Sequence, residues 1–335
     1  MELVTGATGH IGNVLVRELV AQGRAVRALV LPKENTRSLA GLPIEIVEGN
    51  VLDLDSLRCA MQDVTCVYHL AGMITIMPGK NEQVRRVNVE GTRNIIQLMR
   101  ELQIRRLVYT SSIHALKRVP EGILMDENLP FDPDNPVGAY DRSKAEASLL
   151  IQQAVRDGLD AVLVCPTGVI GPHDYLGSEM GVLIHSWMDS GVRFLIKGAY
   201  DFVDVRDVAH GIVLAGERGK AGQVYILSGE KIHMERMQVL VRQAAGLQPQ
   251  VILIPTWLAL FAANFTPWYY RMTGSKPRFT RYSVVTVTGN SDISSQRARS
   301  ELGYQPRSLH ESLQDTVQWW HAYLQNKTGE PAAIL

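Results

Sequence analysis

The sequence predicts an α/β fold in which a doubly wound parallel sheet is covered by helices on both faces. Two observations favour it. Short apolar runs alternate with stretches of helical periodicity, and the runs are apolar throughout rather than at every second residue. Continuous apolar strands are typical of a parallel sheet that is buried on both sides. With 335 residues, of which 46% are hydrophobic, the chain can build one large domain or two coupled ones.

Each element of this alternation can be located in the first part of the chain. The predicted strands are ELVT (2–5), AVRALVL (25–31), IEIVEG (44–49), VTCVYHLAG (64–72), RRLVYTSS (105–112) and DAVLVCP (160–166). The predicted helices span 11–23, 56–62, 82–102 and 139–158. Asn135-Pro136 is a candidate cap and first turn for the last of these helices.

After residue 166 the alternation loosens, which predicts a smaller substrate-binding lobe. We expect a nucleotide-binding domain over 1–166, to which 201–230 returns with a helix (207–217) and a strand (223–229). The lobe would comprise 167–200 and 231–330. Two further helices are predicted over 294–303 and 309–325.

Composition argues against several classes of partner. The formal net charge is zero and there are no basic runs, so neither a nucleic acid nor a membrane is expected to be a partner. Cys59, Cys66 and Cys165 form no metal-ligand motif, which predicts reduced, structural cysteines in a cytoplasmic protein without a metal site. Because the first strand begins at Glu2, no signal peptide is expected.

One stretch departs from this pattern. No charged residue lies between Arg242 and Arg271, and VILIPTWLALFAANFTPWYY (251–270) is long enough to span a bilayer. Pro255, Asn264 and Pro267 interrupt it, however, and VILIP reads as a strand leading into a short helix. We predict a buried strand–helix unit here; peripheral membrane contact or a protein interface is the alternative.

TGATGHIG (5–12) follows the first strand and opens the first helix. Gly6 allows a sharp turn, Gly9 allows the backbone to approach a pyrophosphate, and Gly12 allows close packing of the helix. The helix N-terminus favours an anion. In this strand–turn–helix context the motif predicts a dinucleotide site.

The end of the second strand bears on the choice of dinucleotide. An acid at this place usually binds the adenosine ribose of NAD, but here the strand ends Val30-Leu31-Pro32. Lys33 and Arg37 follow and favour the additional phosphate of NADP, whereas Glu34 opposes it. The prediction is NADP, with NAD as the alternative.

Seven motifs then occur in a characteristic order: TGATGHIG, HLAG (69–72), VNVEGTRN (87–94), YTSS (109–112), YDRSK (140–144), PTGVIGP (166–172) and FVDVRDVA (202–209). The chain resembles the extended short-chain dehydrogenase/reductases, also called the NAD-dependent epimerase/dehydratase family. The resemblance covers nearly the whole length. It implies a Rossmann-type fold and an NAD(P)-dependent enzyme.

The resemblance also implies a catalytic set. Residues four apart share a helix face, so Tyr140 and Lys144 can both point at the cofactor. Tyr140 would be the general acid/base, its pKa lowered by Lys144 and by the nicotinamide. Ser112 would bind the substrate oxygen, with Thr110 or Ser111 as alternatives. Asn88 would support the site from beneath.

Two further sets of contacts carry over from the family. The cofactor set, which includes Tyr140 and Lys144, also comprises Gly6, Thr8, Gly9, His10, Ile11, Gly12, Lys33, Arg37, Asn50, Val51, Leu70, Ala71, Gly72, Thr110, Pro166, Gly168 and Val169. The substrate set is Met73, Ile74, Ser112, His114, Thr167 and Tyr175. For His114 a hydrogen-bonded, non-catalytic role is the preferred interpretation. Asn50 and Cys165 depart from the family, which often has an acid and an arginine there.

The predicted reaction class follows from positions near the expected substrate at which this chain differs from the sugar-nucleotide enzymes of the family. Many sugar-nucleotide enzymes of the family have an arginine where this chain has Tyr200, and MITIMPG (73–79) suits an apolar or aromatic substrate. MTGSKPRFT (272–280) resembles a segment of the dihydroflavonol-reductase and 3β-hydroxysteroid-dehydrogenase-like branch. A ketone/secondary-alcohol oxidoreductase is therefore predicted.

Two other functions stay open. Lys197, Arg206 and Arg278 support a sugar-nucleotide epimerase or dehydratase. A non-catalytic, nucleotide-sensing regulator is the third possibility, and the retained Tyr/Lys pair argues against it. A homodimer paired through the helices at 82–102 and 137–157, as in many family members, is plausible.

Overall fold

The computed structural model describes residues 1–77, 81–191, 194–273 and 280–325. A seven-stranded, wholly parallel sheet forms its centre, in the order β3-β2-β1-β4-β5-β6-β10. The strands are β1 (Glu2–Thr5), β2 (Val26–Val30), β3 (Glu45–Glu48), β4 (Cys66–His69), β5 (Arg106–Thr110), β6 (Ala161–Pro166) and β10 (Val224–Leu227). The predicted α/β fold is confirmed, and strand order reverses between β1 and β4, where a dinucleotide site is expected.

Helices cover both faces of this sheet, and each face has its own apolar core. The helices are α1 (His10–Ala21), α2 (Leu54–Ala60), α3 (Glu82–Arg85), α4 (Gly91–Glu101), α5 (Ala139–Arg156), α6 (Glu179–Trp187), α7 (Val205–Arg218), α8 (Met234–Ala244), α9 (Thr256–Ala263), α10 (Thr266–Thr273), α11 (Arg281–Val287) and α12 (Leu309–Gln325). Leu15 of α1 and Val213 of α7 are buried on one face. Ile95 of α4 and Ile151 of α5 are buried on the other.

Two helices differ from their predictions in detail. The helix predicted over 82–102 contains a π-helical turn, Arg86–Glu90, between α3 and α4. The predicted cap at Asn135-Pro136 is wrong, because α5 is capped by Gly138. The Asn135 side chain instead accepts a hydrogen bond from the amide of Val137, which stabilises a turn before the helix.

Two smaller sheets lie outside the main one. One pairs β7 (Gly168–Ile170), β9 (Ala199–Asp204) and β11 (Glu230–His233); the other pairs β8 (Phe194–Ile196) with β12 (Ile252–Ile254). The cysteines are free, with Cys59 exposed and the other two buried. The division into lobes at residue 166 and the homodimer stay predictions.

The uncharged stretch forms the predicted strand and helix, as β12 and α9. The expectation that this unit is buried is wrong: Trp257 is 69% exposed and Phe261 is 59% exposed. The helix α9 buries Ala259 and Ala263, so its small residues face the protein and its aromatic residues face outward. In the part of the chain described here, no helix combines the length and the apolar character needed to cross a membrane.

Candidate active site

The glycine-rich turn between β1 and α1 is shaped by close approaches at Gly6 and Gly12. Gly6 has a φ of +69°, and a Cβ on it would lie 2.8 Å from the amide nitrogen of Ala71, after β4. A Cβ on Gly12 would lie 2.0 Å from the carbonyl oxygen of Gly6. Gly9 meets only that same oxygen, at 3.3 Å, so space is open above the N-terminus of α1. A backbone cradle at a helix N-terminus fits the pyrophosphate of a dinucleotide.

The segment after β4 passes directly over two predicted catalytic residues. A Cβ on Gly72 would lie 3.2 Å from Oδ1 of Asn88 and 3.7 Å from Nζ of Lys144. Only a residue without a side chain leaves this space free. Leu70, Ala71 and Gly72 thus lie at the sheet edge between the glycine-rich turn and Lys144.

Asn88 joins three elements beneath the site. Its Oδ1 accepts a hydrogen bond from the amide of Met73 at 2.7 Å. Its Nδ2 donates to the carbonyl of Met73 at 3.0 Å and to Oγ of Ser143 at 2.9 Å. The π turn, the segment after β4 and α5 are therefore tied together by one buried amide, in keeping with the supporting role expected for Asn88.

His69 is a buried component of the same support. Its Nδ1 lies 2.8 Å from the Thr5 hydroxyl, and its Nε2 lies 3.1 Å from the hydroxyl of Thr92. Burial, with a smaller contribution from the charge of Lys144, lowers the pKa of His69 to about 3. The ring is therefore neutral and connects β1, β4 and α4.

Lys144 is buried at the end of β5. Its ammonium donates to the carbonyl of Thr110 at 2.6 Å and to the Tyr109 hydroxyl at 3.3 Å. It also lies over the Tyr109 ring, 4.8 Å from its centroid. Burial lowers the pKa of Lys144 to about 8, so the group is mostly charged at neutral pH.

Tyr140 lies one helical turn before Lys144, and its hydroxyl lies close to the Ser112 side chain. Burial raises the pKa of Tyr140 to about 12, although the Ser112 side chain opposes the rise. Tyr140 is therefore protonated at neutral pH. The lowering of this pKa by Lys144 and the nicotinamide stays a prediction.

Three neighbouring hydroxyls were predicted as candidates to bind the substrate oxygen, and their contacts favour that of Ser112. Ser111 is turned inward, with its Oγ 2.7 Å from Oγ of Ser148. Ser112 accepts a hydrogen bond from the His114 amide at 3.2 Å and contacts Tyr140. The Thr110 hydroxyl is buried and has no hydrogen-bond partner among the described residues.

Aromatic and charged side chains from distant parts of the chain close around Tyr140. His114 stacks on Tyr200, with 3.0 Å between Nε2 and the tyrosine hydroxyl, and its ring contacts Tyr140 edge-on. The Tyr282 hydroxyl donates to Asp141 at 2.7 Å. His114 is thus the hydrogen-bonded histidine that was expected, and burial lowers its pKa.

Beside this cluster lies a cavity of about 350 Å³. Its walls are largely apolar and include Ile113, Val119, Met125, Tyr200, Val285 and Ile293. Arg118 also lines it, but its guanidinium is 3.3 Å from the buried carboxylate of Asp141. Among the residues that line it, His114 and Tyr200 belong to the aromatic cluster around Tyr140.

Several residues of the predicted substrate set have other contacts. The Thr167 hydroxyl donates to Asp201 at 2.6 Å. Tyr175 packs edge-on against Trp319 and Tyr323 of α12. Met73 is held through its backbone by Asn88, and Ile74 is 67% exposed beyond it. The structure brings Ser112 and His114 to Tyr140, and a substrate role for the other four stays a prediction.

The residues of the predicted cofactor set also differ in their contacts and positions. The His10 ring contacts the carbonyl of Pro172 at 2.9 Å, and Val51 is part of the apolar core. Oδ1 of Asn50 accepts a hydrogen bond from the backbone amide of Leu52. Pro166 ends β6, and Gly168 and Val169 lie in β7; Ile11 and Gly12 lie in the first turn of α1. A direct contact between any of these residues and a cofactor stays a prediction.

The corner that would distinguish NAD from NADP holds a carboxylate. Glu34 accepts hydrogen bonds from the Thr8 hydroxyl at 2.6 Å and from the Leu31 amide at 2.7 Å. Lys33 adopts a left-handed backbone, with φ at 63°. The guanidinium of Arg37 lies over the ring of Tyr323, 5.7 Å from its centroid. The sequence placed Glu34 near this corner but could not give its orientation toward the glycine-rich turn.

Fold and site together define a dinucleotide-dependent enzyme of the extended short-chain dehydrogenase/reductase type. The family model of the NAD dependent epimerase/dehydratase family matches residues 2–228, and the chain belongs to that family. Its resemblance to the family, inferred from seven motifs, is confirmed.

Similar proteins cover almost the whole chain. "Sterol demethylase protein B" of Methylococcus capsulatus is 34% identical over 321 residues, which are 95% of this chain and 97% of that protein. The "Putative dihydroflavonol 4-reductase" of Synechocystis is 32% identical, covering 97% and 96%. A 4-hydroxy-2-methyl-3-oxo-4-farnesyl-3,4-dihydroquinoline-1-oxide ketoreductase of Stigmatella aurantiaca is 28% identical, covering 94% of each chain.

Solved structures agree with the fold. The crystal structure of gox2253 superposes with a TM-score of 0.84 at 31% identity, covering 96% of this chain and 98% of that one. The Thermus thermophilus UDP-glucose 4-epimerase in complex with NAD gives 0.77 at 22% identity, covering 96% and 98%. At that identity the second likeness concerns the fold alone.

Proposed function

We propose that this protein is an NAD(P)-dependent oxidoreductase that interconverts a ketone and a secondary alcohol on an apolar or aromatic small molecule. The observation that carries the proposal is the position of the Tyr140 hydroxyl. It lies beside the Ser112 side chain and one helical turn from Lys144. The His114 ring, which contacts the Tyr140 ring edge-on, lines a largely apolar cavity. The names of the dihydroflavonol-reductase and ketoreductase relatives point to the same class of reaction.

In the reductive direction, the protein's part is to handle the proton and the developing charge. A nicotinamide held by the glycine-rich turn would supply the hydride, and its oxidised form would supply a positive charge that favours a tyrosinate. Tyr140 would donate its proton to the substrate oxygen, while the Ser112 hydroxyl donates a hydrogen bond to the same atom. Lys144, held by the carbonyl of Thr110, would keep a positive charge beneath Tyr140 and reach the nicotinamide ribose.

A sugar-nucleotide epimerase or dehydratase is the second candidate, since the family includes such enzymes and the fold accommodates them. A diphosphate needs available cations. Arg206 is engaged by Asp204 and Asp315, and Arg118 by Asp141. Lys197 is exposed just after β8, and Arg278 lies outside the described residues. These contacts favour the apolar substrate.

The two candidates separate when the purified protein is assayed with both substrate classes. We expect exchangeable NADH or NADPH to be oxidised by aromatic or steroidal ketones, with no conversion of UDP-glucose. Tightly retained NAD together with turnover of the sugar nucleotide would establish the second candidate instead. Failure to bind either dinucleotide would remove both.

The contacts of Glu34 weaken the preference for NADP over NAD that the sequence predicted. Its carboxylate, held by Thr8 and Leu31, would accept a ribose hydroxyl and repel an additional phosphate. Lys33 and Arg37 remain the residues that would favour NADP. We therefore propose that NAD is used at least as well as NADP.

Replacing Glu34 tests this balance directly. In Glu34→Gln the negative charge is lost with little change in shape, so the ratio of kcat/KM for NADPH to that for NADH should rise about tenfold. The measurement is initial rates with both cofactors at one fixed substrate. Glu48→Gln, which changes an acid on the edge strand β3, is the matched control and should leave the ratio unaltered. An unchanged ratio in Glu34→Gln would show that Glu34 does not face the ribose.

A further inference from the structure

The surface around α9 has an inverted arrangement of side chains. Trp257, Phe261 and Phe265 recur at every fourth position and are exposed, whereas Ala259 and Ala263 face the protein. An amphipathic helix in a globular protein ordinarily buries its large apolar residues. The apolar face is defined here by the exposed residues Phe194, Ile252, Leu253, Trp257, Leu258, Phe261, Phe265 and Trp268.

This apolar face is contiguous in the fold, since β8 pairs with β12, and β12 leads through Pro255 into α9. Monomeric proteins rarely expose a cluster of this kind without a binding role. Tryptophan and phenylalanine together on an exposed face are typical of segments that lie in the interfacial region of a membrane.

The charged residues in the stretch of sequence that supplies most of the apolar face are of one sign. From residue 236 to residue 291 there is no Asp or Glu, and the charged residues are Arg236, Arg242, Arg271, Lys276, Arg278 and Arg281. Arg281 is exposed at the start of α11, and Lys197 is exposed just after β8. Exposed cations beside an apolar surface complement the anionic phosphates of a lipid bilayer.

We propose that the apolar face docks on the surface of an anionic membrane, with its aromatic side chains in the interfacial region and the flanking cations at the headgroups. A second copy of the chain fits less well. A two-fold contact would pair this face with a copy of itself, so that the exposed cations Lys197 and Arg281 would meet a surface carrying the same cations, and like charges oppose such an interface.

The apolar face lies one helix away from the candidate active site. Val284 of α11 packs with Ala259 and Ala263 of α9. Two residues earlier on α11, Tyr282 is hydrogen-bonded to Asp141, the neighbour of Tyr140. An apolar substrate dissolved in a bilayer would therefore be presented close to the cavity. The docking itself does not rest on the proposed function, because it involves neither cofactor nor turnover.

The test is co-sedimentation of the full-length protein with vesicles, in the absence of cofactor and substrate. Vesicles of phosphatidylcholine are compared with vesicles of phosphatidylcholine mixed with phosphatidylglycerol, at low and high salt. We expect binding to the anionic vesicles, a blue shift of tryptophan fluorescence, and weakening by salt. The triple variant Trp257→Gln/Phe261→Gln/Trp268→Gln should bind at least about tenfold more weakly.

The matched control is Ile46→Gln/Leu124→Gln, which removes exposed apolar side chains elsewhere and should bind like the original protein. Thermal unfolding of each variant verifies that it is folded. The proposal is overturned if the original protein ignores both kinds of vesicle or binds both equally. It is also overturned if the apolar face instead holds a dimer, seen by light scattering, that the triple variant dissociates. Each result is independent of whether ketones are reduced.

Discussion

Tyr140→Phe is expected to lower kcat by about 10²–10⁴-fold, because the general acid is removed while the ring that packs against His114 is kept. Binding of the dinucleotide should change little, since the pyrophosphate is expected to be held by backbone amides of the glycine-rich turn and not by the phenol hydroxyl. The measurement is single-turnover reduction with saturating cofactor, together with a fluorescence titration of the cofactor.

Tyr225→Phe is the matched control, because it also removes a buried tyrosine hydroxyl, one that contacts Lys220 and Glu301. It should retain kcat. If Tyr140→Phe turned over substrate at the original rate, the catalytic assignment would be lost, and the cofactor titration would still show whether the dinucleotide site is correct.

Asn88→Ala is expected to destabilise the protein by roughly 2–4 kcal/mol, since the amide and carbonyl of Met73 and the Ser143 hydroxyl each lose a buried partner. Met73 directly follows Gly72, which lies beside Lys144. We therefore expect kcat/KM to fall together with the stability. Denaturant unfolding measures the first effect, and the midpoint should move without a change in m.

Two variants make the Asn88 result specific. Asn88→Asp can still accept from the Met73 amide but cannot donate to Met73 or Ser143, so its stability should fall between those of the original and Asn88→Ala. Asn94→Ala removes a single hydrogen bond to the carbonyl of Val51 and should cost about 1 kcal/mol. Equal losses for Asn88→Ala and Asn94→Ala would mean that Asn88 does not clamp the site.

Features encoded by neighbouring residues were the ones that could be predicted from the sequence. The strand–helix alternation, the roles of Gly6 and Gly12, and the position of Tyr140 and Lys144 on one helix depend on local spacing. The positions of Tyr200 and Tyr282 beside His114 depend on how three distant segments pack, so no local pattern could show them. The sequence located Glu34, but its rotamer decides that it faces Thr8.

The prediction that β12 and α9 are buried failed for a different reason. Apolar periodicity reports which side chains avoid water in an average globular protein, and it does not tell a protein interior from another apolar surface. At α9 the alanines carry the packing and the aromatic residues remain outside. Similarly, the pKa of Tyr140 depends on burial that spacing alone does not reveal.

The π turn at Arg86–Glu90 lies between α3 and α4 and rotates the side chains of α4 about the helix axis relative to those of α3. A π turn accommodates about one more residue than an α turn, and one residue corresponds to about 100° of rotation. The buried stripe before the turn, at Val84, and the stripe after it, at Ile95, can therefore each face the packing partners that suit them. Asn88 lies at the change of phase, where a polar side chain can point inward without displacing an apolar one from either stripe. A regular helix of the same sequence would have to give up one of these three orientations.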